Sequence, residues 1–408
     1  ALEDIASGHV EISDLRPIDV EDLLGRDPVT PDNALLTSQV AGKCVLITGA
    51  GGSIGSELTR QLLRLGPKSL VLLDVSEPAL YEISMDIADM QRKIRAESED
   101  SGPETKVVTI LGSVLDRKLI ERTLSQHKIE VIYHAAAYKH VPIVEVNPSI
   151  GVQNNTFGTL ITAGAARDAG VERFVLVSSD KAVRPTNIMG ASKRLAELIL
   201  QAMAEDPQKT TFTMVRFGNV LDSSGSVVRL FRNQIKLGGP VTVTHPDVMR
   251  YFMSIPEAAQ LVIQAGAMAE GGEVFVLEMG TPVKINDLAR TMVRLSGLDV
   301  RDEDHPDGDI SIEYVGLRPG EKLFEELLIG ENATGTNHPR IFKTSEPVIP
   351  FDELIAALER FSKAIAQDDK VKLQEMLRAT VEGYAPSAAT GPVSPDADEW
   401  EPQSQTLH

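Results

Sequence analysis

The sequence predicts an α/β protein: a doubly wound parallel sheet with a smaller α/β lobe attached. Short, strongly apolar runs recur at Cys44–Thr48, Leu70–Asp74, Val107–Leu111, Val131–His134 and Phe174–Ser178, each followed by a helical stretch. Strands buried on both faces read as continuous apolar runs rather than alternating ones, and this rhythm puts helices on both sides of a parallel sheet. After about Val215 the pattern loosens, with Gly238–Gly239–Pro240, Thr242–Thr244 and Gly271–Gly272 reading as turns between short strands and helices. A smaller lobe assembled from several separate segments is therefore expected.

Residues 1–40 are acidic, carry Pro17, Pro28 and Pro31, and hold no long periodic segment, so they read as an N-terminal arm or linker. Residues 41–215 read as the sheet domain and 216–345 mainly as the smaller lobe, its segments interleaved with the sheet domain. Helices Phe351–Ala366 and Lys370–Tyr384 account for 346–384, and the Pro, Ser, Ala and acidic mixture over 385–408 reads as a disordered tail.

The chain has 408 residues, 42% of them hydrophobic, which is enough for a large core plus a second lobe. Forty basic against fifty-nine acidic side chains give a formal charge of -19, so no diffuse positive field exists to hold nucleic acid. A phosphate-bearing ligand would need local arginines. The single cysteine, Cys44, can form no internal bridge, fits a reducing compartment and reads as a small buried hydrophobe. His134, His140, His245 and His338 are scattered without metal-ligand spacing, so no structural metal is expected. No apolar stretch approaches the roughly 20 residues that span a bilayer.

Leu46 to Leu58 reads as a strand, a glycine turn and a helix start, with Gly49, Gly52 and Gly55 in the turn and Ser53 and Ile54 opening the helix. Glycines let a backbone approach a pyrophosphate closely, and a helix N-terminus offers unpaired N–H groups. The spacing departs from G-x-G-x-x-G. Asp74 ends the second strand about 20 residues further on, where a carboxylate can accept from an adenosine ribose 2′-OH and would repel a 2′-phosphate. That makes 41–215 a Rossmann-type domain for NAD rather than NADP. A second reading stays open, in which Asp74 caps the following helix. Ser179, Asp180 and Lys181 follow the Phe174–Ser178 strand, where open α/β sheets carry out chemistry. Met189 and Lys193, four apart, share one face of the next helix.

At these residues the sequence resembles a known family. Thr48–Gly49 through Gly55, His134–Ala135–Ala136–Ala137, Asn155–Thr156–Phe157–Gly158–Thr159 and Lys193 are similar to the extended short-chain dehydrogenases that act on sugar nucleotides. Ala137–Tyr138–Lys139–His140–Val141–Pro142, the block from Ser179 to Arg194, Arg216–Phe217–Gly218–Asn219–Val220–Leu221 and Leu317–Arg318–Pro319–Gly320–Glu321–Lys322 resemble the nucleoside-diphosphate-sugar 4,6-dehydratases of bacterial polysaccharide and protein-glycan synthesis. Most short-chain dehydrogenases carry a tyrosine four residues before the helix lysine; here Met189 stands there, and a thioether cannot exchange a proton. In the resemblance this methionine marks the long subgroup, which converts UDP-N-acetylglucosamine to a 4-keto-6-deoxy sugar with C5 retained.

The resemblance implies a tightly held NAD, oxidation at C4, loss of water across C5 and C6, and reduction at C6, with no net redox. Position for position, Ala135, Ala136, Ala137 and Asn155 join the glycine turn and Asp74 around the cofactor, and Lys193 reaches the nicotinamide ribose. Lys181 takes the C5 proton, Asp180 protonates the leaving C6 hydroxyl and Ser179 bonds the C4 oxygen. A lysine base must be partly neutral, which Lys193 and an oxidised nicotinamide nearby would promote. Asp180 as an acid needs desolvation, and adjacent Lys181 works against it. With Met189 in place, the acceptor of the C4 hydroxyl proton is open. Asn219, Arg250 and Arg318 are candidates for the diphosphate and Lys139 for the sugar, since guanidinium groups pair with phosphate oxygens. Plain surface charge is the alternative for Arg250, Arg318 and Lys139, and ordinary core packing for Met189.

Ser113, Arg184, Asp222 and Arg229 depart from the pattern, the last three standing where asparagine, glycine and proline are usual. Leu15 to Pro28 is similar to the segment joining a membrane-embedded front half to the catalytic part in the long subgroup. The resemblance thus implies a soluble catalytic portion on the cytoplasmic side of the bacterial inner membrane, its membrane region missing, and a homodimer paired through two long helices. A C5-inverting dehydratase stays open, as do two other classes: an epimerase or reductase on the same scaffold, which should keep the tyrosine, and a non-catalytic NAD sensor, which has no use for Asp180 beside Lys181.

Overall fold

The computed structural model describes residues 31–97, 104–205, 210–318, 320–325 and 333–386. The Leu15–Pro28 segment and residues 387–408 of the expected tail lie outside them.

Six parallel strands, β1 (Cys44–Thr48), β2 (Ser69–Asp74), β3 (Lys106–Leu111), β4 (Val131–His134), β5 (Arg173–Val177) and β6 (Thr211–Arg216), lie in the order 3-2-1-4-5-6. The first five match the apolar runs of the sequence to within a residue at each end. Period-two geometry sends alternate side chains to opposite faces. Leu46, Ile132, Phe174 and Phe212 pack with helices Arg117–His127, Gly158–Ala169, Ile188–Ala204 and Phe351–Ala366. Val45, Ile47, Tyr133 and Val175 pack with helices Ser53–Arg64, Glu77–Glu97 and Ile255–Met268. Each such fully buried aliphatic side chain contributes about 1.5–3 kcal/mol. Two-sided burial is why β1, β2, β4 and β5 lack alternation in the sequence, whereas the edge strand β3 is only partly buried.

The chain then leaves the sheet for β7 (Asn219–Val220), β8 (Val241–Val243), β9 (Met249–Arg250) and β10 (Phe252–Met253), and returns beside β6 as β11 (Val274–Leu277). It leaves again for β12 (Val283–Lys284), β13 (Val300–Arg301) and β14 (Ile310–Tyr314), and comes back as the antiparallel pair β15 (Ala333–Gly335) and β16 (Ile341–Thr344). The central sheet thus has nine strands, ending β15-β16-β11-β6 on that side. The excursions form a separate core in which β8, β13 and β14 back onto helices Val227–Lys236 and Ile285–Leu295 through Phe231, Val241, Val243, Leu288 and Met292.

Three expectations need correction. Thr242–Thr244 is not a turn: Val241–Thr242–Val243 forms β8 with both valines buried, the pattern of a half-buried strand of β-branched residues. The arm folds before residue 41, where Asp32 caps the Asn33–Ser38 helix, its backbone N–H donates to Gln264 Oε1, and Leu36 and Val40 are buried. The last helix ends at Thr380 rather than Tyr384, because Val381 turns to φ -100°, ψ 103° and buries itself together with Tyr384.

Behind the carboxyl ends of β5 and β6 lies a buried charge cluster. Arg216 donates to Glu197 at 2.8 and 2.5 Å and also pairs with Glu346. Arg194 donates to Glu197 at 3.1 Å and pairs with Glu346 at 2.9 Å, and the Ser178 hydroxyl donates to Glu197 at 2.6 Å. Burial pushes the Glu197 carboxyl up, but Arg216, Arg194 and Ser178 outweigh it and hold it at about 2. A carboxyl depressed in the folded state contributes stability that is present above its unfolded value of 4.5 and is lost as pH falls toward about 2. Arg216→Met should therefore cost about 3–5 kcal/mol in denaturant unfolding at pH 7, because it strands buried carboxylates. Glu197→Gln should flatten the fall in stability between pH 4.5 and 2, measured by circular dichroism.

Candidate active site

A cavity of about 760 Å³ opens where the strand order reverses between β1 and β4, between the sheet's carboxyl ends and the second lobe. Clefts at such reversals are where open α/β sheets bind ligands.

Gly49, Gly52, Ser53, Ile54 and Gly55 line one end of it. Gly49 has φ +68°, and a Cβ there would lie 2.6 Å from the Ala136 nitrogen; one on Gly55 would lie 2.0 Å from the Gly49 oxygen. The turn is thus folded tightly against the end of β4. Helix Ser53–Arg64 starts behind Gly52 with no side-chain cap, so its first N–H groups face the cavity end. Asp74 lies behind this turn, one carboxylate oxygen accepting from Gly51 N–H and the other from Ser76 N–H, each at 2.8 Å. It ties the glycine turn to the residue before the next helix, and it does not itself line the cavity. Ala135 and Ala137 line the cavity, and Ala136 backs the turn.

Asn155 does not line the cavity. It sits, fully buried, in a π-helical turn over Gln153–Phe157, accepting from Tyr138 N–H at 2.8 Å and donating to the Tyr138 carbonyl and the Ser192 hydroxyl, both at 3.0 Å. The cofactor-binding assignment of Asn155 is corrected accordingly: its polar atoms are spent on protein, and it positions the Tyr138–His140 loop.

At the end of β5, Ser179, Lys181, Met189 and Lys193 line the cavity together. Asp180 is 2% exposed; its Oδ1 accepts from Ser179 Oγ and Lys181 Nζ, both at 2.9 Å, and its Oδ2 is buried without a partner among the described residues. A Cβ on Gly190 would lie 2.1 Å from the Lys181 carbonyl oxygen, so only glycine lets the Ile188–Ala204 helix approach this loop. Lys193 Nζ donates to the Val177 carbonyl at 2.7 Å, and burial lowers its ammonium to about 8 despite Glu197. Lys181 behaves otherwise than expected. Burial favours its neutral amine, but Asp180 and Glu325 outweigh burial and Arg250, and hold the ammonium above the ordinary lysine value. The expected loosening of its proton by Lys193 is replaced by two carboxylates that tighten it.

Asn219 Oδ1 accepts from Lys181 Nζ at 3.3 Å. Arg250 is engaged throughout: it donates to the Met249 and Leu323 carbonyls and to Glu321 at 2.9 Å, and pairs with Glu325 at 3.5 Å. A diphosphate at Arg250 would have to displace carboxylates. Arg318 is exposed at the cavity wall, and its guanidinium makes no ion pair among the described residues. Lys139 lines the cavity, its ammonium pushed down by burial and by Arg229.

Glu321, Glu325, Tyr138 and Ser224 were not singled out in the sequence. The two glutamates stand four apart after Arg318, the one signal that could have marked them. Ser224 N–H donates to Ser53 Oγ at 3.1 Å, closing the second lobe onto the glycine turn. Two of the unusual residues, Arg184 and Asp222, adopt φ +38° and +56°, a conformation asparagine and glycine tolerate better. Asp222 in turn pairs with Arg229 and Arg232 at 3.3 and 3.1 Å, so two departures from the pattern compensate each other.

A family described as polysaccharide biosynthesis protein matches residues 45–346. The chain belongs to that family. It is 49% identical over 327 residues to the capsular polysaccharide biosynthesis protein CapD of Staphylococcus aureus, and 46% identical over 327 residues to the probable polysaccharide biosynthesis protein EpsC of Bacillus subtilis. Both alignments cover 80% of this chain and 52% of the relative, so the chain spans about half the length of these curated relatives. An uncharacterised membrane protein of Methanocaldococcus jannaschii is 43% identical over 71% of this chain and 81% of its own length. Among solved structures, Pen from Bacillus thuringiensis superposes with a TM-score of 0.66 at 32% identity, over 76% of this chain and 92% of that one. DesIV of Streptomyces venezuelae, a dTDP-glucose 4,6-dehydratase, shares the fold with a TM-score of 0.59 at 21% identity, over 78% and 96%. The family member described here is thus an extended Rossmann-type protein. Asn155→Ala in it should lower stability by about 1–3 kcal/mol, because the Tyr138 backbone loses two partners. Hydrogen exchange at Tyr138 should accelerate alongside.

Proposed function

We propose that this family member removes water from UDP-N-acetylglucosamine across C5 and C6, giving UDP-2-acetamido-2,6-dideoxy-4-ketohexose with C5 retained, for bacterial glycan synthesis. The observation that carries the reading is the Asp180–Lys181 hydrogen bond of 2.9 Å at the cavity, with Met189 standing four residues before Lys193. A proton donor and a proton acceptor side by side serve an elimination. The missing hydroxyl disfavours an epimerase or reductase that works through a Tyr–Lys pair.

The cavity end fits NAD. The tight turn from Gly49 to Gly55 and the uncapped helix start at Ser53 and Ile54 suit a pyrophosphate, Asp74 suits a ribose diol, and Lys193 suits the nicotinamide ribose. When bound, NAD supplies a store for the hydride that leaves sugar C4 and returns to C6. The chain's own groups manage protons. Lys181 must be neutral to take the proton from C5, and Asp180 must be protonated to release the C6 hydroxyl as water. Both conditions are met when one proton crosses their hydrogen bond, turning ammonium and carboxylate into amine and acid. Ser179 would hydrogen-bond the C4 oxygen in exchange for its bond to Asp180. Asn219 and exposed Arg318 would meet the diphosphate, and Arg250 would join them on releasing Glu321; Lys139 would face the sugar.

No helix among the described residues is long and apolar enough to cross a membrane. Because one relative is called a membrane protein and two others extend well beyond the aligned residues, which make up 52% of each, we further infer a catalytic portion at the cytoplasmic face of the inner membrane, working as a homodimer.

Incubated with UDP-N-acetylglucosamine and no added cofactor, the protein should yield a product lighter by one water in mass spectrometry. In deuterium oxide, NMR should show deuterium at C5 with configuration retained. Asp180→Asn with Lys181→Met should abolish turnover in folded protein; undiminished turnover would refute the assignment.

A further inference from the structure

The second lobe contributes one buried carboxylate that the steps above leave unused. Glu325 has a side chain only 4% exposed, 3.5 Å from Lys181 Nζ and 3.5 Å from Arg250 Nε. It comes from a different lobe than Asp180 and Lys181, so its contact with Lys181 forms only when the lobes meet across the cavity. The charged groups acting on Lys181 are Asp180 from its own turn, Glu325 from the segment after Arg318, and Arg250 from β9; the neutral Asn219 amide oxygen from β7 accepts from it.

We propose that Glu325 is a positioning residue for the elimination: shared between Lys181 and Arg250, its carboxylate decides on which partner of the Asp180–Lys181 pair the single mobile proton rests. With Glu325 close to Lys181, the ammonium–carboxylate arrangement is favoured, because Lys181 then has two counter-charges at 2.9 and 3.5 Å. When Glu325 draws toward Arg250 instead, Lys181 keeps one counter-charge, and the neutral amine and acid become the better arrangement for buried groups. The proton moves from Lys181 Nζ to Asp180 Oδ1 and no other bond changes, so charge and atoms balance within the pair. Arg250 also holds Glu321, at 2.9 Å, and is a candidate for the diphosphate. Occupancy of that arginine is thereby linked to the proton's position.

The inference rests on the dehydratase reading for its consequence but not for its test. Acetic anhydride labelling of amines follows the neutral fraction of each lysine, and peptide mass spectrometry reads Lys181 separately. In the full chain at pH 8, Glu325→Gln, which keeps an oxygen acceptor for Arg250, should raise the labelling rate of Lys181 about tenfold, since loss of one nearby opposite charge frees the neutral form by that order. Glu325→Asp, which keeps the charge, should stay closer to wild type than to the Gln variant. Glu321→Gln, which touches Arg250 but not Lys181, should change labelling less than twofold. Equal rates in wild type and Glu325→Gln, or an equal rise in all three variants, would overturn the inference. Where wild type turns over sugar nucleotide, the acid limb of its kcat–pH profile should move to lower pH in Glu325→Gln, because without that negative charge the Asp180–Lys181 pair holds a second proton less tightly. If wild type makes no dehydrated product while labelling still differs tenfold, the dehydratase reading fails and the role of Glu325 stands.

Discussion

The site depends on one contact, the ammonium of Lys181 at the cavity wall against the almost wholly buried carboxylate of Asp180. In bulk solvent such a pair would be worth little and would hold its proton wherever the lysine put it. Inside the protein each charge loses hydration, so the charged and neutral forms of the pair draw closer in free energy, and small changes in the surrounding charges can choose between them. Glu325 and Arg250 are such charges, and both come from the second lobe.

The rest of the architecture keeps that contact in place. Asp180 stands three residues beyond β5, and its backbone N–H donates to the Phe217 carbonyl beyond β6, so the loop is pinned to two strand ends. Ser178, one residue after β5, anchors to Glu197, and Glu197 anchors to Arg216 on β6. A buried ion cluster of this kind is weak as a source of stability relative to apolar packing, but removing one member is costly, and that makes its geometry hard to vary. Gly190 brings the Ile188–Ala204 helix against the same loop, which carries Met189 and Lys193 to the cavity. The glycine-turn end of the cavity is held in parallel fashion by Asp74 across the turn and by Ser53 against Ser224 of the second lobe.

Membership in the polysaccharide biosynthesis family and the shared fold with structures such as Pen and DesIV agree with this arrangement at the level of scaffold. Scaffolds of this type host several chemistries, so the distinction lies in side chains at the strand ends. Met189 is the sharpest of these. Its thioether lines the cavity together with Lys193 and offers no proton, so on the proposed reading the acid–base work falls to the neighbouring loop.

Much of this was legible in the residues alone. β1, β2, β4 and β5 could be read from continuous apolar runs because two-sided burial demands them, and the glycine turn, Asp74, Asp180, Lys181, Met189 and Lys193 could be named because local spacing relative to strand ends fixes where they emerge. The second lobe was harder to read: β8 looked like a turn, since a three-residue strand leaves too short a pattern to count. Asn155 looked like a cofactor contact, whereas its partners are Tyr138 and Ser192, 17 and 37 residues away. The state of Lys181 was misjudged for the same reason. Sequence showed its neighbour Asp180 but not Glu325, which lies 144 residues on and reaches it only because the chain leaves the sheet and folds back over the cavity. Local order is written in short-range chemistry, while the charges that tune a buried group are chosen by which distant segments meet it, and only the tertiary fold decides that.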